Sequence, residues 1–430
     1  MKRSAVLSLS LFAVLPALVQ AQTLEECQQA AERNYPLIGQ YGLIEKTAQL
    51  SVANVAKGWL PQVQATAQAT LQSDVTAWPE QMQAMMTQMG IGLKGLKKDQ
   101  YRVGIDVSQT LFDGGDMSSR QAVVRQQAQV QRAQAEVSVY AVRQRVNEMY
   151  FSLLLIDQQI KLNNDLQALL EANEKKLASM HERGTAARSD YQSVKAERLG
   201  VAEQLGALRQ QRATLLRLLS VLCGMEVSSP VKPAPTTVVA LQANCRPELK
   251  AFDAQLRLAD AQQRQLDAAL MPRLSVFASG FYGYPGYNMF NDMLHHDWSW
   301  NGMVGARLTW NIGALYTRKN DKARLQQQRL MAENSRQVFL FNNRLEQLQQ
   351  SEAVERYRKQ MEADVEIIEL RHQIRLSAES KLAHGIIDVN DLVKELNNEN
   401  AARVQQSIHE IEMLKEMYNL KYTTNNEEKQ

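Results

Sequence analysis

The sequence predicts a mainly α fold with a small β contribution, assembled from two copies of a strand–strand–long-helix unit. Long runs of heptad-spaced apolar residues predict the helices. Short stretches in which apolar and polar residues alternate predict the strands. A duplicated turn predicts the repeat. His181-Glu-Arg-Gly-Thr-Ala-Ala-Arg-Ser-Asp-Tyr191 returns as Lys381-Leu-Ala-His-Gly-Ile-Ile-Asp-Val-Asn-Asp-Leu-Val393, and each copy places an Asp six residues after a Gly. The pairs are Gly184 with Asp190 and Gly385 with Asp391.

Residues 1–21 read as a secretory leader. Met1-Lys-Arg is a basic start, Ala5 to Val19 is apolar, and Val19-Gln20-Ala21 is an Ala-x-Ala-like cleavage site. The apolar part is shorter than the roughly 20 residues a spanning helix needs, so the mature chain is expected to start near Gln22. No Cys follows the cut directly, which argues against a lipid anchor there.

The first repeat covers 22–229. Residues 23–58 are helical in pattern, interrupted at Asn34-Tyr-Pro36 and ended by Trp59-Leu-Pro61, because the residue before Pro disfavours the α region. A β-hairpin over about 62–112 follows. In it Val63, Ala65, Ala67, Ala69 and Leu71 alternate with polar residues, as do Val103, Ile105 and Val107. Leu111-Phe-Asp-Gly-Gly115 is the turn that ends it. From Met117 to Met180 there is no Pro, and Val142, Val146, Met149, Leu153, Ile156 and Ile160 form a heptad seam. A helix of that run would be on the order of 95 Å long. After the Gly184 turn, Val194, Val201, Leu205, Leu208, Leu215, Leu219 and Leu222 continue the seam on a second helix.

Pro230, Pro233 and Pro235 mark a linker over 230–245. The second repeat, 246–422, then runs through the same programme. A helix reaches Met271-Pro272, a β-hairpin occupies about 273–311, a long helix extends to about Leu382, and a last helix runs to about Tyr418. The tail 423–430 is polar and expected to be disordered. Pro61 answers Pro272, Gly115 answers Gly313 and Gly184 answers Gly385. The length difference between the copies falls between the strands, where insertions are tolerated best.

The composition narrows the function classes. Lys and Arg number 49 against 46 Asp and Glu, a near-neutral balance that speaks against nucleic acid as the main partner. No nucleophile–base arrangement, phosphate-binding Gly loop or closed Cys/His metal set occurs, so neither an enzyme nor a cofactor is expected. Met82, Met85, Met86 and Met89 have the spacing of an apolar helical stripe, with a soft metal such as Cu(I) as the rival reading. His295, His296 and Asp297 lie among Tyr284, Tyr287, Phe290, Trp298 and Trp300, the setting of a polar loop beside an interfacial aromatic girdle. Three Cys permit one disulfide in an exported protein. Cys223 and Cys245, which flank the linker, are the preferred pair; three separate buried thiols are the alternative.

The hairpins point to an assembly. Their strands are close to the 9–11 residues that cross an outer membrane at a tilt, with one face for lipid and one for water. Four strands cannot close a barrel with a lumen, and an open edge in lipid strands its backbone polar groups. Several copies must share a barrel, and the same ring gives the long helical seams their partners.

In this architecture the chain resembles the outer-membrane efflux proteins typified by TolC. The leader, the duplicated element order, Leu111-Phe-Asp-Gly-Gly115 and the Gly-to-Asp tips carry the resemblance over essentially the whole mature chain. It implies a homotrimer with a shared twelve-stranded transmembrane β-barrel in the outer membrane and a helical tunnel across the periplasm. It also implies docking to a periplasmic adaptor and to an inner-membrane pump or ABC transporter, for efflux or type I secretion.

In that family the second tip carries an Asp-x-x-Asp pair that forms acidic rings at the periplasmic entrance, matched here by Asp388 and Asp391. The alternative is two carboxylates on a solvated first turn, where Asp is favoured anyway. Asp190 matches the family's first-tip Asp, with Ser189 where Thr stands. The family's latch Arg falls at His384 here, which leaves either no latch or one supplied by Arg183, Arg188 or His384. The rival to a duct is a periplasmic coiled-coil structural protein without membrane insertion.

Overall fold

The structure is a computed structural model that describes residues 22–93, 95–236 and 244–425. Residues 1–21, where a leader is expected, residue 94, residues 237–243 and residues 426–430 lie outside it. In chain order the elements are α1 (Leu24–Asn34), α2 (Ile38–Ala56), β1 (Gln62–Leu71), α3 (Glu80–Gln88), β2 (Asp99–Phe112), α4 (Asp116–Glu182) and α5 (Arg188–Cys223). Then come α6 (Pro247–Ala268), β3 (Arg273–Tyr284), α7 (Met289–His295), β4 (Ser299–Thr309), α8 (Ala314–Ala383) and α9 (Val389–Thr424). Among these helices none is long and apolar enough to cross a membrane. The chain divides into two compact units. One gathers Met1–Gln40, Ala135–Pro247 and Val338–Gln430, the other Tyr41–Gln134 and Glu248–Gln337.

The first unit is helical and built on the seams. Val142, Val146, Leu153 and Ile156 of α4 are buried, as are Val194, Val201, Leu205 and Leu219 of α5. The heptad pattern works because residues three and four apart share one helix face. One cluster gathers Leu24 and Cys27 of α1, Tyr150 and Leu153 of α4, Leu219 and Cys223 of α5, Val354 of α8, and Ile411 and Leu414 of α9. A second gathers Leu166, Leu170 and Leu177 of α4, Val194 and Leu205 of α5, Ala378 of α8, and Leu392 and Leu396 of α9.

Two expectations are corrected in this unit. The chain is helical through Thr424, and Thr423 is fully buried. Tertiary contacts override the polar composition there. Tyr422 stacks on Tyr140 with ring centroids 4.8 Å apart, and its carbonyl accepts from the Tyr140 hydroxyl at 2.7 Å. Asn343 Nδ2 donates to the Thr423 carbonyl at 2.8 Å, and the Cys245 amide to that of Thr424 at 2.9 Å. The preferred cysteine pair is also wrong. Cys245 is exposed, whereas Cys223 is buried with Cys27, and the Cys223 Sγ donates to the Cys27 carbonyl at 3.4 Å.

The second unit holds the sheet, antiparallel throughout in the order β1-β2-β3-β4. Its register sorts the side chains into two faces. Val63, Val107, Ala278 and Val304 form one cross-strand row; Ala65, Ile105, Gly280 and Gly302 form the next, and Ala67, Val103, Tyr282 and Trp300 the one after. The opposite face carries Gln64, Asp106, Ser279 and Met303 in one row, with Gln68 and Arg102 nearby. There Ser279 Oγ donates to Asp106 Oδ1 at 2.6 Å, and the Arg102 guanidinium lies 3.9 Å from the Phe281 ring centroid.

The connections between strands are ordered and tied to each other. Leu96, Tyr284 and Met293 form a small core with Val75 and Trp78. The Lys97 amide donates to the Tyr284 hydroxyl at 3.0 Å, and His296 Nε2 to the Gly95 carbonyl at 2.7 Å. Each connection contains a short helix: α3 carries the helical spacing of the methionines, whereas α7 lies where a polar loop was expected. Met82, Met85 and Met86 lie on α3, with Met89 as its C-cap residue. Asp113 forms the first turn's cap: its two carboxylate oxygens accept from the Gly115 amide at 2.9 Å and the Met117 amide at 2.7 Å.

Candidate functional site

The two helical tips lie in the first unit and share one backbone design. At the end of α4 the Gly184 amide donates to the His181 carbonyl at 2.9 Å, and the Thr185 amide to the Met180 carbonyl at 2.9 Å. At the end of α8 the Gly385 amide donates to Leu382 at 3.0 Å, and the Ile386 amide to Lys381 at 2.9 Å. This is the Schellman closure, which satisfies the last helical carbonyls and requires a left-handed residue. Gly184 has φ +75° and Gly385 has φ +69°, a region in which a side chain costs about 1–2 kcal/mol. Replacing Gly385 by Val is therefore expected to fray the second tip. Hydrogen exchange at the Ile386 amide should rise about tenfold or more.

The returning helices begin differently. At the first tip the Ala187 amide donates to Asp190 Oδ2 at 3.3 Å, and Ser189 Oγ donates to Asp190 Oδ1 at 3.3 Å. At the second, Asp388 is the N-cap, and its Oδ1 accepts from the Asp391 amide at 3.0 Å. Asp388 and Asp391 are exposed and adjacent on the first turn, where the helix N-terminus favours negative charge. The second core cluster, with Val389, Leu392, Val194 and partly buried Ala186 and Tyr191, fixes the bases of both tips.

The latch candidates do not engage within the chain. His384 turns back on its own helix, its Nδ1 donating to the Ser380 carbonyl at 2.7 Å. Arg183 and Arg188 are exposed. Among the described residues, no ion pair joins Arg183, Arg188 or His384 to Asp190, Asp388 or Asp391.

One charged cluster was missed by the sequence reading. Glu399 of α9 is 5% exposed and accepts from Arg375 Nε at 2.5 Å, Arg403 Nη2 at 2.7 Å and His372 Nδ1 at 3.1 Å. Glu379 takes the other side of the Arg375 guanidinium at 2.5 Å. The group borders a cavity of about 440 Å³ that Leu162, Leu166 and Leu169 line from α4. The spacing of Glu399 and Arg403, and of Arg375 and Glu379, was visible as i,i+4 pairs. Their meeting across two helices was not.

Burial by itself would raise the Glu399 carboxyl, but the hydrogen bonds from Arg403, Arg375 and His372 outweigh it and hold the group down to about 2, against an ordinary 4.5. A depressed carboxyl stabilises the fold above its ordinary value, and that contribution is lost as pH falls through 4.5 towards 2. Glu399→Gln is expected to cost about 2–3 kcal/mol at pH 7. Thermal unfolding of both proteins should show this gap narrowing below pH 4.5.

No protein-family model matches the sequence, and no curated protein matches it. Solved structures do match its fold. The outer-membrane channel OprN superposes with a TM-score of 0.65 at 16% identity, over 94% of this chain and 90% of that one. VceC, an outer-membrane protein of Vibrio cholerae, gives 0.67 at 12% identity, over 94% and 96%. The MtrE outer-membrane channel of Neisseria gonorrhoeae, in its open state, gives 0.62 at 15% identity, over 94% and 89%. These likenesses establish the fold. The mainly α architecture with a four-stranded sheet is the fold of these solved outer-membrane channels, the fold class that the sequence led us to expect.

Proposed function

We propose that this chain is an outer-membrane duct of a tripartite efflux or type I secretion system, conducting substrates passively through a periplasmic helical tunnel and a shared β-barrel. The observation that carries the reading is the sheet. It has a mainly apolar face, a mainly polar opposite face in which Phe277, Phe281 and Met303 are set, and two edges, β1 and β4, without a neighbouring strand among the described residues. Trp300 and Val304, each more than 80% exposed, and Leu308 lie along the apolar face with Trp310 just past its end. From Trp300 to Trp310 is about 33 Å of strand, and a tilt of about 40° reduces it to about 25 Å, the height of the apolar band in outer-membrane barrels.

Tyr101, Tyr282, Trp298 and Trp300 cluster at the loop end of that face, with centroids 5.1–5.9 Å apart. This is the placement of an interfacial girdle. Open edges are untenable in lipid, so copies must join edge to edge. Three copies would give twelve strands.

Asp388 and Asp391 then repeat around the bore as acidic rings at the periplasmic entrance, attracting cations and repelling anions. Asp190 adds to that charge from the first tip. The tips' exposure suits docking to a periplasmic adaptor, which in turn would couple the duct to an inner-membrane pump. The solved outer-membrane channels that share this fold support an outer-membrane placement of the chain.

Fractionation of cells expressing the full chain tests the reading. The protein is expected in the outer membrane and released only by detergent. Release by osmotic shock alone would favour the periplasmic coiled-coil alternative and end the duct proposal.

A further inference from the structure

The two buried cysteines lie at a joint that is otherwise held at both ends. On one side Asn34 Nδ2 donates to the Val221 and Leu222 carbonyls at 3.1 and 3.2 Å. On the other, Gln22 Nε2 donates to the Glu226 carbonyl at 3.2 Å. Tyr150 secures the same corner, its hydroxyl meeting the Gln22 carbonyl at 2.8 Å and the Val231 carbonyl at 2.7 Å. Between these anchors Cys27 of α1 and Cys223, the last residue of α5, share one core, with the Cys223 Sγ 3.4 Å from the Cys27 carbonyl. Cys27 is fully buried and Cys223 nearly so.

We propose that Cys27 and Cys223 form a structural disulfide that fastens α1 to the end of α5 in the exported protein. The inference rests on the export reading, because disulfides persist in oxidising compartments. The two thiols meet side chain to side chain in one buried corner, and a disulfide there would bring the sulfurs to about 2.05 Å. The exposed Cys245 has no such partner among the described residues.

The oxidation is a two-step exchange. One of the two cysteines, as its thiolate, attacks the disulfide of a thiol oxidoreductase, the oxidant of the reaction. That S–S bond breaks, and one sulfur leaves as a thiolate. The other cysteine then loses its proton and attacks the chain's own sulfur of the mixed disulfide, releasing the oxidant's second sulfur. Two cysteine thiols are oxidised and one oxidant disulfide is reduced to a dithiol. Because both residues are buried in the folded chain, the exchange takes place before α1 docks.

The test uses the full chain purified from the outer-membrane fraction. It is denatured in urea with N-ethylmaleimide and no reductant, then digested and analysed by mass spectrometry. The expected result is a linked Cys27–Cys223 peptide pair with Cys245 alkylated. Alkylation of both Cys27 and Cys223 overturns the disulfide while leaving the duct reading intact. A linkage of either residue to Cys245 also overturns it.

If fractionation places the chain elsewhere, the duct reading fails and a second arm decides the disulfide. The purified chain is reduced, refolded in a glutathione redox pair and mapped in the same way; absence of the Cys27–Cys223 pair overturns the proposal. In either arm Cys245→Ser should keep the bond, and Cys27→Ser should leave Cys223 open to alkylation. Dithiothreitol should cleave the bond at least about tenfold faster in urea than in the folded protein.

Discussion

Arginine at Ile105 and Val304 together is expected to keep the chain out of the outer membrane. Both residues lie on the apolar face of the sheet, in adjacent cross-strand rows, and both are exposed. An Arg facing lipid near the midplane costs about 2–4 kcal/mol, and a shared barrel repeats each cost in every copy. Gln64→Arg is the matched control. Gln64 lies on the polar face beside Asp106, where a charge would face water. A membrane barrel should reject the first pair of substitutions and tolerate the control. A water-soluble sheet, with these positions already exposed, would tolerate all three. Detergent-extracted yield from the outer membrane, compared across the variants, reads the difference.

Removing both carboxylates of the second tip, Asp388→Ala with Asp391→Ala, is expected to cut cation-over-anion selectivity by about tenfold. A cation about 7 Å from one carboxylate in water gains about 0.6 kcal/mol, close to a factor of 3, and a ring of such groups compounds it. The effect should shrink at 1 M salt, where the screening length falls to about 3 Å. Block by multivalent cations should weaken in parallel. Loss of the Asp388 cap also frees the Asp391 amide, so the variant Asp388→Asn with Asp391→Asn separates charge from capping. It should lose selectivity as fully while keeping the cap.

The fold was legible where one local period decides the structure. The seam through Val142, Val146 and Leu153 and the alternation through Val63, Ala65 and Ala67 each point to a face, and the structure places those faces as read. Gly184 and Gly385 announced the tips because a left-handed closure selects Gly. What stayed hidden depends on residues distant in the chain. The pairing of Cys27 with Cys223 follows from how α1 docks on α5, and no spacing rule reports it. The order of Thr423 comes from Asn343 and Tyr140, far away in sequence. Glu399 looked like one more charge on a solvated helix face, yet it sits buried under three cationic or imidazole donors. The placement of Asp388 and Asp391 on one exposed turn was legible in the residues; the ring that would give them a function involves other copies, and only the family resemblance pointed to it.

The most direct measurement is the conductance of the purified full chain in planar lipid bilayers. Discrete, long-lived steps that favour cations at low salt are the result this account predicts. A chain that adds to the bilayer no conductance at any protein concentration, while remaining folded in detergent, would contradict it.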